Sequence, residues 1–229
     1  MKQPPSPNET RRVAVLGGTG HEGGALALRF AAAHWEVLIG SRDQARAQDK
    51  AAEIRQLAGA ARVLGLSNPE AAAGASLVFL CVPFDHAAQL LTLCRAHWQA
   101  GTVVVDTTVP LVFDKALGAL MQPLEANSAS ESLAPLLPPG VSLVAAFKTI
   151  PAHVLADLGR PLDCDVFVCG DDQAARGSAI EAAATLPGLR ALDGGPLRHA
   201  RALEAMCALV VGLNRRYRSK SGRFQVTGL

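Results

Sequence analysis

Apolar and polar positions begin to alternate in blocks at Arg12. The uninterrupted run Val13-Ala14-Val15-Leu16 is followed by a cluster of glycines and then by residues of helical composition from about Gly23 to Ala33. A second run, Val37-Leu38-Ile39, stops at Gly40, and Asp43 to Leu57 again has the composition of a helix. Short apolar runs bounded by turn residues predict buried strands, so the stretch reads as a strand–helix–strand unit. The alternation continues with a strand near 62–66, a helix near 69–73, the run Leu77-Val78-Phe79-Leu80-Cys81-Val82, a helix over 86–98, and strands at 102–105 and 143–147. Strands separated by helices, several of them apolar on both faces, predict an α/β fold with a doubly wound (Rossmann) parallel sheet covered on both sides.

Between Pro110 and Gly140 the pattern breaks down. Asn127-Ser128-Ala129-Ser130 is polar, and Pro135, Pro138 and Pro139 close the segment. A loop of that size in a compact domain is expected to be a lid, an arm or an oligomer contact. After Ile150 come a strand at 165–169, a turn at Gly170-Asp171-Asp172, a helix to about Thr185, a strand near 189–192 and a long helix over 197–217. These predict a small C-terminal α/β region. With Pro4, Pro5 and Pro7 among polar residues, positions 1–11 are expected to form a disordered leader. The expected organisation is therefore a leader over 1–11, a Rossmann domain over 12–150 and a small domain over 151–229 that completes a cleft.

Composition narrows the class. Hydrophobic residues make up 49% of the 229 and charged residues 18%, the balance of a folded globular protein. A net charge of +2 and 4% aromatics argue against a nucleic-acid binder, despite the basic stretch from Arg215 to Arg223. No run approaches the roughly 18 apolar residues of a membrane-spanning helix. Arg11-Arg12 and Ala31-Ala32-Ala33 mimic a twin-arginine export signal, but His21, Glu22 and the glycines at 17, 18, 20, 23 and 24 interrupt its apolar core. The cysteines, Cys81, Cys94, Cys164, Cys169 and Cys207, are odd in number and lack metal-ligand spacing. Reduced thiols in a cytoplasmic protein without a metal are expected.

The chemistry is concentrated at strand ends. Gly18-Thr19-Gly20-His21-Glu22-Gly23 satisfies G-x-G-x-x-G between a strand and a helix. The glycines permit a tight turn, close approach of a pyrophosphate and helix–strand packing, while the helix N-terminus supplies free N–H groups and positive potential. Gly18, Thr19, Gly20, His21 and Gly23 are thus candidate dinucleotide-binding residues. At the end of the second strand the chain reads Ile39-Gly40-Ser41-Arg42, with no carboxylate for a ribose 2′-hydroxyl. Ser41 and Arg42, with Arg46 four residues on, instead suit a 2′-phosphate and predict NADP(H). A doubly wound sheet binds ligand at its carboxyl ends, which adds Val82 and Pro83, the loop 106–110, and the segment Phe147-Lys148-Thr149-Ile150-Pro151. These loops carry little acid–base equipment. Lys148 is open to three readings: a contact to an anionic acceptor or to the nicotinamide, a structural ion pair, or a cofactor-phosphate contact.

Several ordered motifs resemble one family. Leu16-Gly17-Gly18-Thr19-Gly20, Gly40-Ser41-Arg42, Lys148-Thr149-Ile150-Pro151-Ala152, the stretch from Asp165 to Asp172, that from Gly188 to Leu197, and Leu213-Asn214-Arg215-Arg216-Tyr217 together look like the NADPH-dependent coenzyme F420 reductases. The resemblance implies hydride exchange between NADP(H) and an 8-hydroxy-5-deazaflavin, coenzyme F420, by a homodimer. It also implies that residues 147–151 and the terminal Gly228-Leu229 lie beside the deazaflavin, with Lys148, His153, Arg215, Arg216 and Lys220 as candidate partners for its anionic tail. Such ring-to-ring transfer demands apposed cofactors rather than a catalytic side chain. The alternatives are an NADPH-dependent reductase of flavin, ferric chelate or another small acceptor, and a non-catalytic NADPH-binding sensor.

Overall fold

The computed structural model describes residues 11–59, 62–116 and 118–229, so the expected leader, Arg11 apart, lies outside the described residues. The strands are β1 (Arg12–Leu16), β2 (Glu36–Ser41), β3 (Val63–Ser67), β4 (Leu77–Leu80), β5 (Val103–Asp106), β6 (Leu111–Asp114), β7 (Gly118–Met121), β8 (Ser142–Ala145), β9 (Cys164–Gly170) and β10 (Leu189–Gly195). The helices are α1 (His21–Ala32), α2 (Gln44–Ala58), α3 (Asn68–Ala73), α4 (Phe84–Leu93), α5 (Ala129–Leu133), α6 (Ala152–Ala156), α7 (Gln173–Ala183) and α8 (Ala200–Arg216). Among the described residues, no helix is long and apolar enough to cross a membrane.

Eight strands form one sheet in the order β10-β9-β8-β5-β4-β1-β2-β3. The order reverses between β1 and β4, which creates the crevice where a doubly wound sheet accepts ligand. Both faces are buried because successive side chains point to opposite sides. Val13 and Val15 of β1 join the core beneath α1 and α2, whereas Ala14 and Leu16 join the core beneath α3 and α4. Helix starts are marked locally. Asp43 caps α2 by accepting from the N–H groups of Ala45 and Arg46, and Ser67 and Glu70 form a reciprocal capping box on α3.

The C-terminal region differs from the expected arrangement in two respects. Its strands β9 and β10 continue the main sheet, so residue 150 falls between neighbouring strands of a single sheet. The sheet is also not wholly parallel: β9 runs antiparallel to β8, pairing Ala145 with Cys169 and Val144 with Gly170. With that register, residues 164–168 extend beyond the carboxyl end of β8, onto the side where ligand binds. The irregular segment after Pro110 contains the antiparallel hairpin β6–β7, whose Phe113 is 73% exposed and whose second strand packs along α8. It is an arm.

Candidate active site

The turn after β1 is built by backbone crowding. Gly17 takes φ +75°, and a Cβ placed there would lie 2.5 Å from the Cys81 carbonyl oxygen; at Gly23 it would lie 2.6 Å from the Gly17 oxygen. Only glycine lets α1 start this close to β1 and β4. The helix is preceded by Gly20, which makes no side-chain cap, so the first N–H groups of α1 are left for a ligand. Gly18 donates to Gly40 O at 3.0 Å and thereby ties the turn to the end of β2.

A cleft of about 810 Å³ opens over this turn, within the range of small-molecule sites. Its lining brings together Thr19, Gly20, Ser41, Arg42, Arg46, Val82 and Pro83, seven of the residues singled out by sequence. The lining also contains Gly17, Asn68, Cys81, His86, Gln89, Leu93 and Leu136, and among the described residues no carboxylate. Ser41 is buried, its Oγ accepting from Asp43 N at 3.2 Å, while Arg42 and Arg46 are exposed. Asn68, absent from the sequence-based set, accepts from Gly17 N through Oδ1 at 3.3 Å and so orients the glycine turn. The signal for it was its place directly after the third strand.

The remaining sequence-predicted residues lie off this lining. Gly18 and Gly23 form the floor of the turn, and His21 borders a neighbouring groove of about 510 Å³ shared with α2. Phe147 adopts φ 58° and packs edge-on against Phe79 at 5.4 Å. Thr149 and Ile150 are buried, and Pro151 precedes α6. Of the readings open for Lys148, the structure shows the ion pair, not an ammonium offered to a ligand. Its side chain has 0% exposure, with Nζ 2.8 Å from Asp106 Oδ2 and 3.5 Å from Glu204 Oε1, and it donates to Thr108 O. Asp106 also accepts from Ser130 Oγ at 2.6 Å and Thr108 N at 2.9 Å, and Glu204 accepts from Ala129 N at 3.1 Å. Burial raises the Glu204 carboxyl above its ordinary range, with Lys148 opposing. This network fastens α5 and α8 over the carboxyl ends of β5 and β8.

Gly228 and Leu229 are exposed at the end of a tail anchored near the same rim. Arg190 grips Asp165 through two bonds of 2.8 and 2.7 Å and donates to Val226 O, while Val226 N donates to Asp165 at 2.6 Å. The Arg190 guanidinium holds the Asp165 carboxyl below the usual range. Of the candidate tail partners, His153 meets Ser221 at 3.2 Å and Arg215 donates to Lys115 O at 3.1 Å; Arg216 and Lys220 are exposed.

A doubly wound sheet, a glycine turn under an open helix N-terminus, and a serine with two arginines at the end of β2 define a dinucleotide-binding oxidoreductase of the NADP class. The sequence matches the family model for coenzyme F420-dependent NADP oxidoreductases over residues 12–110. It is 37% identical over 225 residues to the F420-dependent NADP reductase of Methanothermobacter thermautotrophicus, covering 95% of each chain. Identity to the F420-dependent NADP reductase of Methanocaldococcus jannaschii is 36%, over 95% of this chain and 99% of that one. A solved structure from Arthrobacter sp. FB24, described as an F420-dependent NADP-reductase, superposes with a TM-score of 0.79 at 28% identity, over 94% of this chain and 99% of that chain. The chain belongs to the family of F420-dependent NADP reductases.

Proposed function

We propose that the protein is an oxidoreductase that transfers a hydride between NADP(H) and coenzyme F420. The observation that carries the reading is the carboxylate-free cleft that joins the glycine turn to Ser41, Arg42 and Arg46. Such a lining suits a ligand with a pyrophosphate and a 2′-phosphate, and the crowded Gly17 and Gly23 positions leave room for one.

When bound, the two ring systems supply the chemistry, exchange of a hydride between ring carbons; the protein's residues position and shield. The backbone N–H groups of Thr19, His21, Glu22 and Gly23 would hold the pyrophosphate, while those of Gly18 and Gly20 brace the turn by donating to Gly40 O and Gly17 O at 3.0 Å. Ser41, Arg42 and Arg46 hold the 2′-phosphate. Val82 and Pro83 line the cleft at the end of β4, next to the crevice between β1 and β4. The segment Phe147–Pro151 and the tail ending in Gly228-Leu229 flank the deazaflavin, with Lys148 acting through the Asp106–Glu204 network. No side chain is needed as a nucleophile, because orientation of the rings lowers the barrier.

We also propose a cytoplasmic homodimer, paired through the face where hairpin β6–β7 meets α8. Val112, Phe113, Leu120, Leu209, Leu213 and Tyr217 are large apolar side chains exposed there. The test of function is absorbance of oxidised F420 mixed with protein and NADPH, with FMN and ferric chelate in parallel. Loss of the deazaflavin band matched one to one by NADPH consumption supports the assignment. Turnover with flavin or iron alone overturns it in favour of a small-acceptor reductase, and NADPH binding without any turnover in favour of a sensor.

A further inference from the structure

The carboxamide of Asn68 stands where three strand ends meet, and the fold engages only one of its two polar atoms. Its backbone is held by the capping box of Ser67 and Glu70 and by Pro69 in the first turn of α3. Oδ1 accepts from Gly17 N at 3.3 Å, and a Cβ added to Gly40 would lie 2.7 Å from the same oxygen. The carboxamide therefore packs against Gly40, between the glycine turn after β1 and the end of β2. Because Gly17 N is a donor, the oxygen has to face it and Nδ2 has to face away.

The second atom is free and reachable. Asn68 is 2% exposed, yet Nδ2 is not one of the buried polar atoms shut off from solvent, and among the described residues it donates to no acceptor. The surface open to it is the ligand cleft, which Asn68 lines together with Ser41, Arg42 and Arg46. Strand register fixes its place there: Ser67 is level with Ser41, so Asn68 falls beside Arg42. A donor held in so buried a side chain costs free energy until an acceptor completes it.

A dinucleotide with its pyrophosphate on the glycine turn and its 2′-phosphate at Ser41, Arg42 and Arg46 has to lay the intervening ribose across the gap that Asn68 spans. We propose that Asn68 is a nucleotide-binding residue with two tasks: Oδ1 holds the Gly17 turn in place, and Nδ2 donates to an oxygen of the 2′-phosphorylated ribose of NADP(H). A neutral amide suits this position because it accepts on one side and donates on the other. An aspartate of the same shape would keep the bond to Gly17, lose the bond to the ligand and set a carboxylate beside two phosphates. The inference rests on the NADP(H) reading of the cleft.

The test is heteronuclear NMR of the whole protein isotopically labelled at asparagine, combined with affinity measurements on variants. The chain has four asparagines, Asn8, Asn68, Asn127 and Asn214, so the side-chain signals missing from Asn68→Asp identify Asn68. NADPH and adenosine 2′,5′-bisphosphate are each expected to shift those signals and to slow their exchange with solvent. Asn68→Asp should raise the Kd for both ligands by roughly tenfold or more, while its thermal midpoint stays at the wild-type value because the bond to Gly17 survives. Asn68→Ala should lose affinity as well, and it serves for the assignment should the first variant not fold. Asn68 signals that stay unmoved when the wild-type protein binds NADPH reduce the residue to a brace and overturn the proposal. A loss confined to Asn68→Asp marks charge repulsion alone and overturns it too, as does an unchanged Kd in both variants. Failure of the wild-type protein to bind NADPH overturns the NADP(H) reading instead.

Discussion

At the scale of single residues, charge and burial are set against each other in two contrasting ways. Arg42 and Arg46 stand exposed on the cleft and, among the described residues, neither has an ion-pair partner, so their charge is available to an anion. Replacing Arg42 with Ala should cost about 1.5–3 kcal/mol of NADPH affinity, the worth of a charged hydrogen bond, with little change for NADH. Competitive fluorescence titration with the two nucleotides checks it; unchanged NADPH affinity would place the 2′-phosphate elsewhere. Glu22 is the opposite case, a carboxyl whose folded value of about 8 lies above its ordinary 4.5. The folded state then holds a proton that the unfolded chain has lost, so the contribution of this group to stability is greatest below about pH 4.5 and declines as pH rises toward 8. The decline is at most about 1.4 kcal/mol per pH unit. Urea unfolding from pH 5 to 8 should show the wild-type protein losing stability relative to Glu22→Gln; parallel curves would contradict the burial.

At the scale of elements, α1 does more than present its N-terminus. Arg29, buried near its far end, donates to the carbonyls of Leu155 at 2.6 Å, Val154 at 3.0 Å and Arg160 at 3.1 Å, and also to that of Asp157. One guanidinium thus satisfies the last carbonyls of α6 and the loop after it, groups that a five-residue helix cannot pair internally. Because α6 follows directly on the Phe147–Pro151 segment, this bond set couples the helix after the glycine turn to the segment proposed to flank the deazaflavin. Arg29→Ala should destabilise the protein by about 2–4 kcal/mol through several buried carbonyls left without donors, measured by thermal unfolding. The strands of the parallel sheet and their helices were legible as apolar runs. Hairpin β6–β7 was not: its strands are four residues each and half exposed, and apolar runs of three residues, Leu111-Val112-Phe113 and Ala119-Leu120-Met121, are too short to announce a strand.

Over the whole molecule, the two sides of the proposed ligand space have different origins. The amino-terminal strands supply the glycine turn and the two arginines, whereas the sheet's antiparallel extension carries the tail to the same rim through Asp165 and Arg190. Arg190→Ala should free residues 224–229 and raise the KM for F420 severalfold while leaving NADPH affinity as it is. Steady-state kinetics varying each substrate in turn distinguishes this from a general loss of fold, which would weaken both.

The sequence by itself determined the α/β class, most of the strands of the main sheet, the dinucleotide turn and the preference for a 2′-phosphate. Each of these is written in residues close together along the chain: an apolar run, G-x-G-x-x-G, Gly40-Ser41-Arg42. The tertiary structure decided what depends on partners far apart in sequence. It turned β9 against β8, placed Asn68 on the glycine turn, and closed Lys148 between Asp106 and Glu204. Local pattern specifies which backbone conformation a segment prefers, but a buried charge takes its role from the groups that surround it, and those meet only once the sheet has assembled.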